Sequence, residues 1–180
     1  MKLFLPNRRG VAISAMLVMA GFCGLSPLAA QQKTDASAGK ADGSKGITIH
    51  QETDFAVSPA RLYATLLSSK EFSDCTKKSF AVFSDTSAKI EPVVGGAFSV
   101  FDGHIIGRIL ELVPDHRIVE AWRVVDWPAG VYSIASFEFI SGAKGTKLVF
   151  NHIGFPEGLK EHLSQGWKQH YWDALKTYFK

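Results

Sequence analysis

The last part of the chain carries its longest helical pattern. Between residues 156 and 179, apolar side chains recur at intervals of three and four residues, which is typical of one face of an α-helix. These side chains are Leu159, Leu163, Trp167, Tyr171, Leu175 and Tyr178. Gly166 lies within the pattern, where a glycine costs about 1 kcal/mol of helix stability. We therefore expect Gly166 to mark a close approach between this helix and another element.

The residues before this helix alternate between apolar and polar side chains with the period of a β-strand. The strand candidates are residues 47–55, 80–83, 88–94, 97–101, 105–113, 117–124, 131–140 and 146–153. Asp102-Gly103 lies between two apolar runs and predicts a tight hairpin. Short turns separate the later strands, which favours an antiparallel meander.

One or two short helices are predicted between the first strand and the others. Ser58 followed by Pro59 is typical of a helix N-cap and first turn, and residues 70–78 favour a further helical turn. The resulting order predicts an α+β fold. In this fold a curved antiparallel sheet of about six or seven strands wraps around the long C-terminal helix, so that both apolar faces are buried.

Residues 1–30 have the composition of an export signal. The basic residues end at Arg9, an apolar run covers residues 11–25, and small residues precede an expected cleavage after Ala30. This run is shorter than the ~20 residues that span a membrane, so we expect membrane attachment only through an uncleaved leader. The Arg8-Arg9 pair leaves the twin-arginine route open. The sequence thus predicts a periplasmic or secreted protein.

The segment that follows, residues 31–46, contains no large apolar side chain and predicts a disordered linker. The folded domain is then expected to cover residues 47–180. If the leader is removed, Cys75 is the remaining cysteine of the two in the chain, and we expect a buried thiol without a disulfide.

The formal net charge of +3 comes from the leader. Three of the 20 lysines and arginines lie in residues 1–30 and no acid does, so the remainder has 17 basic and 17 acidic residues. We therefore expect no nucleic-acid partner. The histidines and cysteines show no spacing typical of a metal site, and no cofactor motif is present, so neither a metal nor a cofactor is expected.

Several local strings resemble one known domain. They are GGAFSVFDG (95–103), LVPDHRIVEAWR (112–123), DWPAG (126–130), GTKL (145–148) and GWKQHYWDALKTYF (166–179). Together they resemble the C-terminal domain of the activator of heat-shock protein 90 ATPase, a member of the START-like, helix-grip (SRPBCC) superfamily. The resemblance covers roughly residues 47–180. It implies a helix-grip fold with a cavity between sheet and helix that holds a small apolar molecule.

The candidate ligand-binding residues are the aromatic and histidine side chains expected to line that cavity. They are Phe98, Phe101, Trp122, Tyr132, Phe137, Phe139, Phe150, His152, Trp167, His170 and Tyr171. Ordinary core packing is the alternative for each aromatic residue. His152 and His170 are expected to orient a ligand or move a proton, or else to be hydrogen-bonded core or rim residues.

A second group of polar residues lies on neighbouring predicted strands. Glu111, Glu120 and Arg123 predict an exposed cross-strand ion pair, with a ligand clamp as the alternative. Trp127-Pro128 belongs to a loop that packs, covers the cavity mouth or contacts a partner.

Three functions therefore remain open for the predicted monomer. The first is a non-enzymatic binding domain for a small apolar molecule, which requires a hollow of roughly 300 Å³ under the C-terminal helix. The second is a protein-interaction module of co-chaperone type. The third is a cyclase-like or hydrolytic enzyme that uses His152 or His170 as acid or base, although no nucleophile and orienting group accompany them.

Overall fold

The computed structural model describes residues 47–77 and 87–180. The predicted export signal, the linker and the strand candidate at residues 80–83 lie outside the described residues.

The described chain forms a mixed α+β domain. Its strands are β1 Thr48–Phe55, β2 Lys89–Ile90, β3 Ala97–Val100, β4 Ile105–Val113, β5 Arg117–Val124, β6 Ser133–Gly142 and β7 Gly145–Ile153. The helices are α1 Pro59–Leu67, α2 Ser69–Thr76, α3 Lys160–Gly166 and α4 Asp173–Tyr178, with a π-helix at Trp167–Trp172 between the last two. We call residues 160–178 the C-terminal helix. No helix among the described residues is long and apolar enough to cross a membrane.

The seven strands form one antiparallel sheet in the order β1-β7-β6-β5-β4-β3-β2. The predicted fold class is therefore confirmed: a curved antiparallel sheet, short helices after the first strand, and a C-terminal helix packed on the sheet. The predicted N-cap is also confirmed, since the Ser58 hydroxyl accepts a hydrogen bond from the Arg61 backbone N–H at 3.3 Å.

Strand alternation directs one set of side chains toward the helix. Along β6, Ala135, Phe137 and Phe139 are buried, and β7 contributes Leu148 and Phe150 on the same face. Side chains on the opposite face of these strands are half-buried or exposed. The core thus lies between the inner face of the sheet and the C-terminal helix.

The hairpin between β3 and β4 differs from the predicted tight turn. The strand ends at Val100, and Phe101, Asp102 and Gly103 have φ values of 53°, 55° and 82°. A left-handed backbone is unusual for a phenylalanine. Here it accompanies complete burial of the Phe101 ring, which packs on Phe72 and Tyr171 at centroid distances of 5.7 and 5.3 Å.

The C-terminal helix is shorter and less regular than predicted. It begins at Lys160 rather than near residue 156, and a π-helix interrupts it from Trp167 to Trp172. The wider turn brings Trp172 beneath Trp167, and the two rings stack with centroids 5.7 Å apart and planes at 19°. Trp172 is consequently buried, whereas Tyr178 from the predicted apolar stripe is 36% exposed.

Candidate ligand cavity

A cavity of about 310 Å³ lies between β4, β5 and the C-terminal helix. We call it the helix cavity. Its lining residues are His104, Ile105, Trp122, Val124, His162, Leu163, Gln165, Gly166, Trp167, Gln169, His170 and Tyr171. This volume is at the lower end of the range for small-molecule sites.

The inner wall of the helix cavity is aromatic. Trp167 packs against Trp122 and Tyr171 at centroid distances of 5.4 and 4.2 Å, and all three side chains are buried. Ile105 and Leu163 add buried aliphatic surface beside them. Such a wall suits a flat apolar molecule, because aromatic rings offer large, rigid faces for contact.

The outer part of the helix cavity is polar. His162, Gln165 and Gln169 are exposed, and His104 and His170 are half-buried. These groups could hydrogen-bond the outer end of a bound molecule. Within residues 47–77 and 87–180, no group of His, Cys, Asp or Glu side chains is arranged to hold a metal ion.

Gly166 lies on the edge of this cavity. A Cβ atom added at this glycine would meet no atom within 4 Å, and the residue has ordinary helical torsions with φ near −57°. The predicted close approach at Gly166 is therefore wrong. The missing side chain leaves open space instead, next to the helix cavity that Gly166 helps to line.

One glutamine on β1 holds the C-terminal helix on both sides of the π-helix. The Gln51 amide nitrogen donates to the backbone oxygen and the hydroxyl of Ser164, each at 2.9 Å. Its amide oxygen accepts from the Trp172 indole N–H at 2.6 Å. These bonds fix the helix segment that carries Trp167 and Tyr171, and with it the cavity wall.

His152 is part of a buried chain of hydrogen bonds behind the wall. The Trp167 indole donates to His152 Nδ1 at 3.0 Å, and His152 Nε2 lies 2.6 Å from the Ser133 hydroxyl. That hydroxyl donates to the Trp122 carbonyl oxygen at 2.9 Å. Because an indole can only donate, His152 must carry its proton on Nε2 and donate it to Ser133.

Burial lowers the pKa of His152 to about 3. The imidazole is therefore neutral near pH 7, and both of its nitrogens are occupied by protein groups. These features make it a structural residue that positions Trp167 and Trp122, and they leave it unsuited to acid or base catalysis.

Glu120 lies on the inner face of β5, in apolar surroundings. It lines a small chamber of about 20 Å³, which we call the inner chamber, together with Leu66, Phe72, Ile90, Phe98, Val100, Ile118, Phe137 and Tyr171. Burial raises the pKa of Glu120 to about 8, so its carboxyl group is largely protonated at neutral pH. Tyr171 lines both the inner chamber and the helix cavity and forms the partition between them.

The predicted ion pair of Glu111, Glu120 and Arg123 is wrong for a simple reason of alternation. Glu120 points inward, whereas Arg123 lies on the other face of β5 and donates to the backbone oxygens of Val124, Val125 and Trp127. Glu111 instead lies 3.7 Å from Arg117. The Trp127 loop is a packed loop, because the Trp127 ring is buried 5.5 Å from that of Trp122.

The predicted ligand-binding residues fall into four groups in the structure. Trp122, Trp167, His170 and Tyr171 line the helix cavity, and Phe98 and Phe137 line the inner chamber. Phe101, Phe139, Phe150 and His152 are buried in the core. Tyr132 requires a correction: it is 46% exposed, and the Arg123 guanidinium lies 5.5 Å from its ring, so it is not a wall residue.

The sequence pattern did not predict several residues of this region. Glu120 alternates in phase with Ile118 and Trp122, which could have indicated an inward side chain. His162 and Gln169 belong to the polar face of the predicted helix and gave no signal of a nearby cavity. Gln51 and Trp172 were missed because the π-helix changes which side chains face the sheet.

The sequence model of the family described as activator of Hsp90 ATPase homolog 1-like protein matches residues 56–180. The chain belongs to this family. Among its relatives, the activator of 90 kDa heat shock protein ATPase homolog 1 of Homo sapiens is 30% identical over 125 residues, 69% of this chain. The activator of 90 kDa heat shock protein ATPase homolog of Dictyostelium discoideum is 27% identical over 133 residues, 73% of this chain.

A solved structure agrees with this assignment to the Hsp90-activator family. The crystal structure of an HSP90 activator from Plasmodium falciparum is similar with a TM-score of 0.65 and 28% identity, over 73% of this chain and 95% of that one. The chain covers only 35% of the length of the human relative and 33% of the Dictyostelium one. The family resemblance expected from the sequence is thereby confirmed for the fold.

Proposed function

We propose that this domain binds a small, largely apolar molecule in the helix cavity. The observation that carries the proposal is the cavity itself, about 310 Å³ in volume, with an aromatic inner wall and a polar rim. Its volume meets the roughly 300 Å³ expected of a domain that binds a small molecule. Buried aromatic surface of this kind contributes about 25 cal/mol for each Å² that a ligand covers.

Catalysis by His152 receives no support from these contacts. Its pKa of about 3 and its two occupied nitrogens leave no group to exchange a proton at neutral pH. Binding without chemical change is therefore the function that we favour for the helix cavity.

Substitutions at Gly166 test the proposal. Gly166→Phe places a ring into the open space next to the helix cavity, whereas Gly166→Ala adds only a methyl group and is the matched control. Tetralin, an apolar bicyclic probe, is titrated against each protein, and tryptophan fluorescence is recorded because Trp122 and Trp167 lie in the wall. We expect saturable binding to the wild type and to Gly166→Ala and none to Gly166→Phe. Equal responses of all three proteins, or no response up to the solubility of tetralin, would refute the proposal.

A second function, binding of a protein partner, is supported by the family and by the outer face of the sheet. Ala121, Ile134 and Ile153 pair across β5, β6 and β7, and Ile153 is 47% exposed. The named relatives are activators of heat shock protein 90 ATPase, so a heat-shock protein 90 chaperone is the first partner to test.

The ATPase rate of that chaperone is measured with the wild-type domain and with Ile153→Glu. Ile140→Glu, at an equally exposed isoleucine near the end of β6, is the control.

Increased ATPase turnover that is lost in Ile153→Glu and kept in Ile140→Glu would establish the second function. An unchanged rate with the wild-type domain would exclude it for that chaperone.

Export of the protein, directed by residues 1–30, also remains our proposal. Intact-mass measurement of the protein from the envelope fraction tests export and cleavage. A chain that begins at Gln31 is expected there, and recovery of the whole sequence from the cytoplasm would contradict the proposed export.

A further inference from the structure

The carboxyl group of Glu120 borders open space inside the domain. Glu120 is half-buried, because the inner chamber leaves part of its surface uncovered. No hydrogen bond or ion pair joins it to another described residue, and burial alone accounts for the rise of its pKa to about 8. Buried polar groups usually have a partner, since leaving one unpaired costs about 1–3 kcal/mol. The carboxyl group is thus available to a molecule that enters the inner chamber.

The remaining wall of the inner chamber is aromatic and aliphatic. Its four aromatic rings belong to Phe72, Phe98, Phe137 and Tyr171. The rings of Phe72 and Tyr171 pack edge to face with centroids 5.5 Å apart. Aromatic rings attract cations through their electron-rich faces, and aromatic pockets of this kind recognise ammonium groups. A carboxyl group among such rings therefore favours a cationic ligand.

The size of the inner chamber limits which molecule can enter it. Its volume of about 20 Å³ exceeds the roughly 10–15 Å³ that one water molecule needs, and an ammonium group is close to that size. A buried water needs about two to four polar partners, but the lining residues supply only the Glu120 carboxyl and the Tyr171 hydroxyl. A calcium or magnesium ion needs about six oxygen ligands. A small ammonium ion fits both the volume and the chemistry of the wall.

The other groups around the inner chamber keep one charge near neutral pH. The described parts of α1, α2, β2, β3 and β6 contribute apolar side chains to the wall, and the C-terminal helix contributes Tyr171. Burial, and after it Glu120, raises the pKa of Tyr171 well above its usual value, so the hydroxyl keeps its proton. Burial also raises the pKa of Cys75, which acts on Tyr171, to about 12. Among the described lining residues, Glu120 is the group that changes charge in this range.

We infer that the inner chamber binds a small ammonium ion, of the size of methylammonium, and that Glu120 is its counter-ion. The ammonium group pairs with the Glu120 carboxylate, and the methyl group contacts the aromatic rings. Binding at neutral pH displaces the proton of Glu120 into the solvent, so the occupied chamber remains neutral as a whole. This site lies on the other side of Tyr171 from the helix cavity and does not depend on the function proposed for that cavity.

Carboxyl NMR of the purified protein tests the inference. Glutamate side chains are labelled with 13C, and the carboxyl resonance that titrates near pH 8 identifies Glu120 without a variant. The protein is titrated with methylammonium chloride at pH 7. Methanol is the neutral control of the same size, tetramethylammonium has the same charge but is larger, and potassium chloride reproduces the ionic strength.

With methylammonium, we expect the Glu120 resonance to move in a saturable manner to the position of an ionised carboxylate, and we expect none of the three controls to move it. The affinity should rise about tenfold from pH 6 to pH 7, because binding releases a proton from a group whose pKa is about 8. Calorimetry should detect no saturable binding to Glu120→Gln. Glu111→Gln, at an exposed glutamate 3.7 Å from Arg117, is the matched control and should bind like the wild type.

Each contrary outcome would overturn the inference in its own way. A Glu120 resonance that does not respond to methylammonium while the domain stays folded would show that the ion does not enter. An equal response to potassium chloride or methanol would show that no ammonium group is recognised. An equal response to tetramethylammonium would place binding outside the inner chamber. None of these results would affect the function proposed for the helix cavity, which tetralin tests.

Discussion

Glu120 illustrates at the scale of a single residue how position changes the chemistry of a side chain. Its place on the inner face of β5 follows from strand alternation, and its apolar neighbours hold its proton on the carboxyl group at neutral pH. A neutral carboxyl group is compatible with an apolar interior, whereas an ionised one is costly there. The stability of the domain should therefore depend on pH through this residue.

We expect Glu120→Gln to remove this dependence. The pKa of Glu120 is raised from 4.5 to about 8, so the folded state holds a proton that the unfolded state releases between these values. Wild-type stability should accordingly fall through that window as pH rises, by roughly 1.4 kcal/mol per pH unit at most. Urea unfolding of both proteins at pH 5, 7 and 9 measures the difference, which should grow in favour of the variant. A constant difference across these pH values would show that Glu120 is not buried in its neutral form.

His152 gives a prediction of the opposite sign. Its pKa is lowered from 6.5 to about 3, so the unfolded state takes up a proton that the folded state excludes. The stability that His152 contributes is complete above pH 6.5 and is lost as the pH falls below it. Relative to His152→Gln, the wild type should lose about 2 kcal/mol between pH 7 and pH 5. If the two proteins change in parallel, then His152 titrates normally and the buried hydrogen-bond chain is incorrect.

The C-terminal helix is the element on which the cavity depends most. The π-helix at Trp167–Trp172 places Trp167, Tyr171 and Trp172 together on the side of the sheet, and Gln51 bonds to the helix on both sides of that segment. π-Helical turns often occur at functional sites, since they let additional side chains face one direction. In this domain the turn supplies two of the aromatic wall residues.

Gln51→Leu should loosen this attachment. The substitution removes three hydrogen bonds and leaves the Trp172 indole without its acceptor, so we expect a loss of about 2–4 kcal/mol in unfolding free energy. The control is Gln165→Leu. The exposed Gln165 amide donates to Glu161, one turn earlier in the same helix, and its loss should change the free energy of unfolding by less than about 0.5 kcal/mol. Equal effects of the two substitutions in urea unfolding would contradict the proposed role of Gln51.

Gly166→Ala should stabilise the domain. The added methyl group meets no atom within 4 Å, and alanine is preferred to glycine in a helix by up to about 1 kcal/mol. Thermal unfolding measures the change. A lower melting temperature would instead support the close approach that the sequence pattern had indicated.

The sequence predicted regular elements well and irregular ones poorly. The bounds of β4 and β5 agree with the alternation of their side chains, and the start of α1 follows from Ser58 and Pro59. The π-helix has no periodic signature of its own, so the burial of Trp172 and the open space at Gly166 could not be read from intervals of three and four. The left-handed Phe101 was missed because nothing in its type indicates a positive φ.

The candidate site was predicted in part, and the reason is physical. Aromatic residues on inward positions are core or cavity residues according to how closely the helix approaches the sheet, and that distance is not a property of the local sequence. Trp122 and Phe150 are both buried and inward, yet Trp122 alone of the two lines the cavity.

The thiol of Cys75 is buried as expected, and burial raises its pKa to about 12, so it is unreactive.

At the scale of the whole molecule, residues 47–77 and 87–180 together form the seven-stranded sheet, the hydrophobic core and the wall of the helix cavity. We therefore expect residues 47–180 to fold without residues 1–46. The melting temperature of the shortened protein should lie within about 2 °C of that of the full chain. A shortened chain that fails to unfold cooperatively would show that the preceding residues belong to the domain.

The central claim is that the helix cavity holds a small molecule, and native mass spectrometry tests it most directly. The protein is purified without denaturation from its own organism, alongside the Gly166→Phe and Gly166→Ala variants. We predict a reproducible additional mass on the wild type and on Gly166→Ala that disappears on denaturation and is absent from Gly166→Phe. The unliganded mass alone for all three proteins, or the same additional mass on Gly166→Phe, would contradict the claim.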